Sequence, residues 1–297
     1  MPSVKVAVCL AFQFLRTGKP ETHHPKTILS LHTIKVTKPM QSILSRISQH
    51  VEALPPITLD EMKSIRLMNR TDQKYLTNLS TLDRLLQMVK GWYRTQVVNG
   101  KRICGYATTY FDQEGNHSMF RQHETGHKPR TKVRVRTYLE SDITFLEVKK
   151  KDNHGKTAKT RIQVPSLDAV EKQGIGSDFV YESTGLALTD LHAVVSNRFK
   201  RITLVNLDKT ERLTIDFDIR FRCHASGEES SMDNIVVIEL KRDGRAPSPI
   251  LPILRQLRIK PAGFSKYCIG ASVTGAQPRI NRFKKRLVKI RKVADKA

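Results

Sequence analysis

Two stretches of strictly alternating residues, 130–138 and 145–149, constrain the fold of this chain more than any other feature. A period of two predicts β-strands, because successive side chains on a strand point to opposite faces. Lys132, Arg134 and Arg136 therefore share one face of the predicted hairpin, and valines occupy the other. Such alternation ordinarily means a half-buried sheet with one solvated face. A face this uniformly cationic, however, is unfavourable unless an anionic group lies against it.

The alternation recurs in further predicted strands, so the cationic face extends beyond the hairpin. These strands cover residues 66–76, 159–164, 201–204, 211–219 and 235–241, with another predicted strand at 103–111. If they form one antiparallel sheet, closing it with the charged face inward produces a barrel with a polar bore. The apolar outer face would then be covered by predicted helices at 80–95, 166–196 and 248–257. The predicted fold class is therefore α+β, a closed antiparallel β-barrel tunnel with helices packed on the outside.

The charge of the chain indicates what could fill such a bore. The formal net charge is +24 at pH 7, which implies a polyanionic partner such as nucleic acid, a phosphate compound or an anionic surface. The cations on the predicted inner face are Arg70, Lys74, Lys132, Arg134, Arg136, Lys149, Lys159, Arg161, Arg201, Arg212, Lys241 and Lys266. Removing even one of them from water costs several kcal/mol. A chain of phosphates is the natural counter-charge.

Acidic residues are scarce on the same faces. They are chiefly Glu147, Asp216, Asp218 and Glu239, and one or two of them could hold a Mg²⁺ or Mn²⁺ that bridges phosphate oxygens. The four cysteines lie far apart and form no CxxC pair, which argues against a zinc ribbon and a disulfide scaffold. That usage suits a reducing compartment, so we expect a cytoplasmic location. No apolar run reaches the roughly 18 residues of a membrane span.

A series of short motifs along residues 60–272 resembles the VTC domain, in order and in spacing. The motifs are Arg70-x-x-x-Lys74-Tyr75, Tyr110-x-Asp112, Arg130-x-Lys132-x-Arg134-x-Arg136-x-Tyr138, Leu146-Glu147-Val148-Lys149, Lys159-x-Arg161, Glu211-Arg212-Leu213-Thr214-Ile215-Asp216, Glu239-x-Lys241 and Phe264-Ser265-Lys266-Tyr267. The VTC domain is the polyphosphate polymerase domain of the vacuolar transporter chaperone complex, and this chain is similar to its stand-alone bacterial relatives. The sequence departs from the family at Gly263, where some members carry a lysine.

The resemblance implies a triphosphate tunnel fold and transfer of the ATP γ-phosphate to a growing inorganic polyphosphate chain, or to pyrophosphate. It implies that Arg134, Arg136, Arg201, Arg212 and Lys149 act in catalysis. It implies that Lys74, Lys159, Ser265 and Lys266 contact the substrate. We expect the other cations of the predicted bore, Arg70, Lys132, Arg161 and Lys241, to bind the substrate as well. Glu239 would hold the Mn²⁺ or Mg²⁺ ion. The attacking phosphate is already ionised, so no strong general base is required.

Two other classes of function compete with a polymerase. A phosphohydrolase of the same tunnel fold typically carries a Glu-x-Glu-x-Lys strand, whereas the corresponding strand here has Arg70, Asp72 and Lys74. A non-catalytic binder of polyphosphate or nucleic acid is the third class. Nucleic acid is the less favoured ligand, because the cations alternate within strands and aromatic residues make up only 6% of the chain. The His123–His127 stretch matches HExxH, but Gly126 and Pro129 argue against a zinc-binding helix.

The ends of the chain are expected to lie outside the catalytic domain. Residues 1–58 form a basic extension, disordered or partly helical, in which Met40 is an alternative start. The apolar run from Val6 to Leu15 leaves a targeting segment as a further alternative. Residues 59–272 form the predicted tunnel domain. Residues 273–297 form a basic tail, in which Phe283, Leu287 and Ile290 recur at helical spacing. We predict a solvated or surface-docked helix there, with contact to an anionic lipid or nucleic acid as an alternative. The sequence leaves the oligomeric state open.

Overall fold

The computed structural model describes residues 38–63, 70–154, 156–244, 246–277 and 279–296. The helices in these residues are α1 (Lys38–Glu52), α2 (Leu59–Lys63), α3 (Leu79–Met88), α4 (Met119–Thr125), α5 (Leu167–Gln173), α6 (Ser177–Thr184), α7 (Ile250–Gln256), α8 (Lys266–Val273) and α9 (Asn281–Ala294). The strands are β1 (Pro56–Ile57), β2 (Arg70–Thr77), β3 (Tyr93–Gln96), β4 (Ile103–Asp112), β5 (Arg130–Tyr138), β6 (Ile143–Lys151), β7 (Thr157–Val164), β8 (His192–Asn206), β9 (Glu211–Cys223), β10 (Glu229–Met232) and β11 (Val236–Asp243). The chain is therefore a mixed α+β protein.

The strands form one large sheet that is antiparallel except at its small β1–β3 pair. Its main path runs β2-β11-β9-β8-β4-β5-β6-β7, while β3 pairs with β8 and β10 pairs with β9. The predicted hairpin is confirmed as β5 and β6, in which Arg134 lies opposite Glu147 and Lys132 lies opposite Lys149. Because directly opposed residues share a face, this register keeps the charged side chains together.

The apolar residues of the central strands lie on the outer face of the sheet, where helices cover them. Leu213 of β9 and Ile238 of β11 are completely buried in one core with residues of α1, α3 and α7. Leu82 of α3 and Ile47 of α1 belong to the same core. Burial of each such side chain contributes about 1.5–3 kcal/mol. This packing fixes which face of the sheet is outside, so the alternating charged residues lie on the inner face.

Helix α8 occupies part of the inner face. Its Tyr267 and Ile269 pack in a second core with Phe199 and Phe221 of the sheet, and α9 closes this core from the far side. The approach is close, because a Cβ atom on Gly270 would lie 2.5 Å from the Phe221 ring. The first residues of α8 are thereby held against the charged part of the inner face.

The predicted closure of the barrel is wrong. In the described residues β2 and β7 lie at the two ends of the strand order, and the sheet remains open between them. The segment that precedes α8 lies along the free edge of β2, where the Ala262 amide donates to the Lys74 carbonyl over 2.8 Å. Tyr75 of β2 also bridges to Pro261. Since this segment uses the edge of β2, the sheet curls around the inner face without joining its own ends.

Other local predictions also differ from the structure. The predicted helix at 80–95 ends at Met88, and β3 begins at Tyr93. The predicted helical region at 166–196 ends earlier, and β8 begins at His192. Asp218 does not share a face with Asp216, because the β8–β9 register shifts between Arg198 and Lys200 and Asp218 adopts a φ of 50°. Asp218 instead pairs with Lys200 at 3.2 Å and with Arg220 at 3.1 Å, both of which are exposed. It is therefore not available to the inner face.

Both ends of the described chain pack on the sheet domain. Ile47 and Val51 of α1 are buried beside α3, and Phe283 and Leu287 of α9 are buried beside α8. Residues 1–37 and 64–69, which include the start of the predicted 66–76 strand, lie outside the described residues. The domain boundaries near residues 58 and 272 remain predictions. No helix in the described ranges is long and apolar enough to cross a membrane.

Candidate functional site

The inner face of the sheet encloses two cavities that cations line. The first, of about 650 Å³, is bordered by Lys74, Lys132, Lys149, Glu239 and Ser265. The second, of about 750 Å³, is bordered by Lys159, Arg161, Arg201, Arg212 and Lys241. Strands β2 and β7 both border the first cavity, although they are the two ends of the sheet. The curl of the sheet therefore brings together cations that are distant in the chain.

Arg134, Arg136 and Lys266 lie between these two sets and complete the predicted group. Arg134 is ion-paired with Glu147, which also pairs with Lys159 of the second cavity. Lys266 pairs with Asp216, the partner of Arg201. Arg70 begins β2, and its side chain lies outside the description. The structure thus gathers the predicted cations whose side chains it describes around one continuous surface.

Several of these cations oppose each other directly across the strands. Lys132 of β5, Lys149 of β6 and Lys159 of β7 form one such row, since each lies opposite the next. Arg212 of β9 and Lys241 of β11 form a second like-charged pair. Like charges placed directly opposite are destabilising. A polyanion bound along the inner face would remove this repulsion.

The buried Glu147 carboxylate is an internal counter-ion rather than a free acid. Arg134 donates to it from Nε over 2.7 Å, and Lys159 contacts it from β7. Burial acts to raise the pKa of Glu147, but Arg134, Arg136 and Lys159 outweigh it and lower that pKa to about 2. Glu147 is thus ionised at neutral pH and holds the Arg134 guanidinium in place.

Asp216 of β9 is also an internal counter-ion. The Arg201 guanidinium grips it in two places, with Nε donating over 2.6 Å and Nη2 over 2.9 Å. Lys266 forms a further ion pair with it. Burial opposes ionisation of Asp216, yet these two cations hold its pKa well below the usual range. A two-pronged guanidinium–carboxylate contact of this kind fixes the orientation of the arginine.

Two lysines of the site have depressed pKa values. Burial, together with nearby Lys74, lowers the pKa of Lys149 to about 8. Burial also lowers the pKa of Lys266 to about 8, with Arg201 adding to the effect and Asp216 opposing it. Both groups are only partly protonated just above neutral pH. An anion placed beside them would favour their charged forms.

Aromatic rings orient the cations in the middle of the inner face. Tyr106 and Phe199 stack at 5.2 Å, and the Arg201 guanidinium lies 4.9 Å from the Tyr106 ring centre. The Lys266 ammonium lies 3.9 Å from the Phe199 ring centre. Such contacts stabilise a desolvated cation by up to about 2 kcal/mol. The role of Phe199 was missed in the sequence because the predicted strand began at Arg201 and excluded a residue two positions earlier.

The first turn of α8 brings polar groups to the first cavity. Ser265 caps this helix, and Lys132 donates to its hydroxyl over 3.0 Å. Lys74 donates to the Phe264 carbonyl over 2.9 Å. Asp112, interpreted from the sequence as a turn residue, is completely buried and accepts hydrogen bonds from the Phe120 amide and the Tyr267 hydroxyl. It therefore anchors both α4 and α8 to the end of β4.

The predicted metal ligand Glu239 lines the first cavity together with Asp72. Lys74 and Lys241 lower the pKa of Glu239 to about 2 against the effect of burial, so its carboxylate is ionised. No group of three His, Cys, Asp or Glu that could hold a metal ion occurs in the described residues. Mg²⁺ usually binds through one or two carboxylates plus phosphate oxygens and water. Glu239 and Asp72 suit a metal delivered with phosphates, but not a metal held by protein alone.

The HExxH match is not a zinc site. His123 lies on α4, which ends at Gly126 with a φ of 81°, so His127 lies beyond the helix. The two histidines therefore lack the shared helix face that this motif needs. Burial and the nearby Lys132 lower the pKa of His123 to about 3, so its ring is neutral at the edge of the first cavity.

The fold and the site define an α+β protein whose curled antiparallel sheet presents a cation-lined inner face. The chain belongs to the VTC domain family, because the sequence profile of that domain matches residues 69–274. The suspected family resemblance is therefore confirmed over more than half of the chain. A comparison with curated proteins found no match.

Solved structures with similar folds include two proteins described as nucleotide cyclases. A putative adenylate cyclase from Bacillus halodurans is 14% identical with a TM-score of 0.44, covering 67% of this chain and 96% of its own. A putative adenylyl cyclase from Hippeastrum, described as having a dominant triphosphatase activity, is 14% identical with a TM-score of 0.45. The match covers 72% of this chain and 99% of that one. Likeness at this level does not extend to a shared activity.

Proposed function

We propose that this protein is a polyphosphate polymerase that transfers the γ-phosphate of ATP to the end of an inorganic polyphosphate chain and releases ADP. One observation carries the proposal: the inner face presents rows of cations, and its buried carboxylates Glu147 and Asp216 are already committed to ion pairs. The excess positive charge matches a ligand with one negative charge per repeat. Membership of the VTC domain family supports the same substrate class.

The chemistry requires positioning and charge neutralisation more than acid–base groups. Phosphoryl transfer passes through a loose, metaphosphate-like transition state. Arginines that contact its equatorial oxygens therefore provide most of the stabilisation. In this proposal Arg134, Arg136, Arg201 and Arg212 contact the transferred group, and their planar forks suit phosphate oxygens. Lys74, Lys132, Lys149, Lys159, Lys241 and Lys266 act as point charges along the chain, joined by Arg70, Arg161 and the Ser265 hydroxyl.

The ionised state of the acids favours transfer to phosphate over transfer to water. A hydrolase needs a group that orients or deprotonates the attacking water. The pKa values of Glu147 and Glu239 are both lowered to about 2 by surrounding cations, which makes each a poor base near neutral pH. A terminal phosphate of the growing chain is already a nucleophile. This difference supports the polymerase over a triphosphatase of the same fold.

In this proposal a divalent cation is held by Glu239, with Asp72 nearby in the same cavity. Bound with the substrate, Mg²⁺ or Mn²⁺ would neutralise phosphate oxygens and so favour departure of ADP. The protein contributes the ionised Glu239 carboxylate and keeps it oriented through the ion pair with Lys241. It also orients the Arg134 and Arg201 guanidinium groups through their ion pairs with Glu147 and Asp216.

The two cavities differ in chemistry, which suggests an orientation for ATP. The second cavity is bordered by the Tyr138 and Phe145 rings and by apolar Met62 and Ile143, a surface that suits a nucleoside. The first cavity is bordered by seven lysines and arginines, which suits a bare phosphate chain. In this proposal ATP enters at the second cavity and the product chain extends through the first.

The deciding experiment is incubation with ATP and Mn²⁺, with and without a pyrophosphate primer. ADP together with long polymer on a gel supports the proposed activity. ADP with free phosphate and no polymer would identify a hydrolase instead. Absence of turnover combined with tight polyphosphate binding would identify a non-catalytic binder. A protein with Arg201 and Arg212 both replaced by Gln lacks two guanidinium groups of the second cavity and serves as the negative control. Its circular dichroism spectrum and melting temperature must match wild type, because Arg201→Gln leaves the buried Asp216 with Lys266 as its remaining ion-pair partner.

The depressed lysine pKa values predict how substrate affinity depends on pH. Lys149 and Lys266, with pKa values of about 8, lose their charge in the free protein as the pH rises above that value. An anionic ligand favours the charged forms, so tripolyphosphate binding takes up protons and weakens from about pH 7 to about pH 9. Titration calorimetry in buffers of different ionisation enthalpy measures this uptake. The Lys149→Arg/Lys266→Arg variant should flatten the profile, and a profile that remains steep would contradict the assignment.

A further inference from the structure

Helix α9 is a strongly cationic element that lies outside the site described so far. Its 14 residues contain no acid, and its cations are Arg282, Lys284, Lys285, Arg286, Lys289, Arg291 and Lys292. Phe283, Leu287 and Ile290 are buried in the core that α9 shares with α8. The helix is therefore attached to the protein by one apolar stripe, and its charged flanks face elsewhere.

The position of α9 is fixed at both ends by hydrogen bonds to the body of the protein. At its start, Arg282 donates to the Thr125 carbonyl over 2.9 Å. At its end, Asn78 donates to the Lys296 carbonyl and Asn234 to the Ala294 carbonyl, each over 2.7 Å. Side-chain donors at these positions satisfy carbonyl groups that a helix end leaves open. The cations of α9 are thus presented on a rigid support.

One flank of α9 faces the mouth of the first cavity. At 3.6 residues per turn, Arg282, Arg286 and Lys289 fall on the same side of the buried stripe. Arg282 and Arg286 border the first cavity, and Lys289 donates to the carbonyl of Pro261, another border residue. Lys284 and Arg291 fall on the opposite flank. The helix therefore directs only some of its positive charge toward the site.

The cations between the site and this flank form a continuous series. Next to the opposed Lys132 and Lys149 comes a second opposed pair, Arg130 and Lys151, which also borders the first cavity. Successive same-face residues on a strand lie about 6.7 Å apart, so the series advances toward α9 in short steps. Gly263 lies beside the next cation of the series, because a Cβ atom there would make ordinary van der Waals contact with the Arg286 guanidinium carbon at 3.8 Å.

We propose that Arg282, Arg286 and Lys289 form an outer binding track for long inorganic polyphosphate, continuing from the first cavity along α9. The inference rests on the proposed function and adds to it a preference for chain length. Short chains occupy the inner face alone, whereas a chain long enough to leave the first cavity gains contacts with α9. The track retains the growing polymer between successive additions.

Binding of two probes to wild type and to matched variants tests this track. The probes are tripolyphosphate and inorganic polyphosphate of roughly 100 units, measured by titration calorimetry at fixed salt because phosphate contacts are salt-dependent. Arg282→Gln/Arg286→Gln should weaken long-chain binding about tenfold relative to tripolyphosphate binding. Lys284→Gln/Arg291→Gln removes the same charge from the opposite flank of the helix and should leave that ratio unchanged. With ATP, the first variant should make shorter polymer than the second.

The outcomes separate this inference from the proposed function. Equal loss of long-chain binding in both double variants would mean a general charge effect and would overturn the track. An unchanged ratio in Arg282→Gln/Arg286→Gln would overturn it as well. A wild-type protein that binds neither probe would instead remove the proposed function. Arg286→Gln alone keeps the Arg282 bond to α4, so it repeats the test if the double variant does not fold.

Discussion

Replacing Arg134 with Ala is expected to reduce polymer formation from ATP by about 10³-fold, an effect typical of an arginine that stabilises phosphoryl transfer. Arg134 lies at the centre of the inner face between the two cavities, held by Glu147 at 2.7 Å. In the proposed function its guanidinium contacts the transferred phosphate. The measurement is polymer yield on a gel together with ADP release under saturating ATP and Mn²⁺.

This substitution also affects stability, and its controls must separate the two effects. Removing Arg134 leaves the buried Glu147 without one ion-pair partner, and breaking a buried pair costs about 3–5 kcal/mol. Arg134→Gln/Glu147→Gln removes both charges and avoids that penalty. We expect this double variant to melt near the wild-type temperature and still to lose polymer formation. Arg134→Lys keeps the charge without the planar fork, and should retain only about 1% of activity. Wild-type yield in the double variant would remove Arg134 from the reaction.

The charged faces could be predicted from the sequence because alternation and register depend on the same period. Once β5 and β6 pair as a hairpin, Lys132 must lie opposite Lys149 or shift by a whole two-residue step. A one-residue slip of β6 would place Val148 in the cavity and turn Lys149 toward the outer core. Apolar residues of α5 and α6, such as Val170 and Val180, pack against β5 and β6 on that outer face and exclude this slip.

The open edge of the sheet could not be predicted, because it depends on a segment with no periodicity. Pro261 and Ala262 lie along β2 through backbone contacts that leave no pattern of side chains in the sequence. The face on which Asp218 lies could not be predicted for a related reason. A single bulge in β9 reverses the faces of the following residues, and bulges have no reliable sequence signal. Asp216 stays on the inner face because it precedes the bulge.

The mouth of the first cavity shows where sequence reasoning stopped too early. Arg130 is the first residue of the predicted hairpin but was not assigned to the site, and Lys151 lies one two-residue step beyond its second strand; the structure places both at this mouth. Extending the second strand by two residues would have found Lys151. Arg282 and Arg286 are different, because they lie 131 to 156 residues along the chain from Lys151 and Arg130. The core that α8 and α9 share brings both arginines to the cavity mouth. The apolar spacing of residues 273–297 predicts a helix but does not indicate where that helix docks.

Replacing Glu239 with Gln is expected to lower polymer formation by about 10³-fold while leaving anion binding intact or tighter. Glu239 lines the first cavity, and its ionised carboxylate is the proposed metal contact. Gln keeps the size of the side chain and can still accept a hydrogen bond from Lys241. Removing one negative charge from a cationic surface should strengthen metal-free tripolyphosphate binding by several-fold. Glu239→Gln should therefore lose polymer formation while it gains affinity for tripolyphosphate.

The metal itself provides the independent measurement for this variant. Electron paramagnetic resonance of Mn²⁺ in the presence of tripolyphosphate should show protein-associated metal for wild type and much less for Glu239→Gln. Asp218→Asn is the matched control, since it removes a carboxylate from the outer face of the same sheet, where Lys200 and Arg220 hold it. It should retain wild-type metal association and polymer yield. If Glu239→Gln keeps the wild-type Mn²⁺ signal, Glu239 is not the metal contact, and Asp72 becomes the carboxylate to test in that cavity.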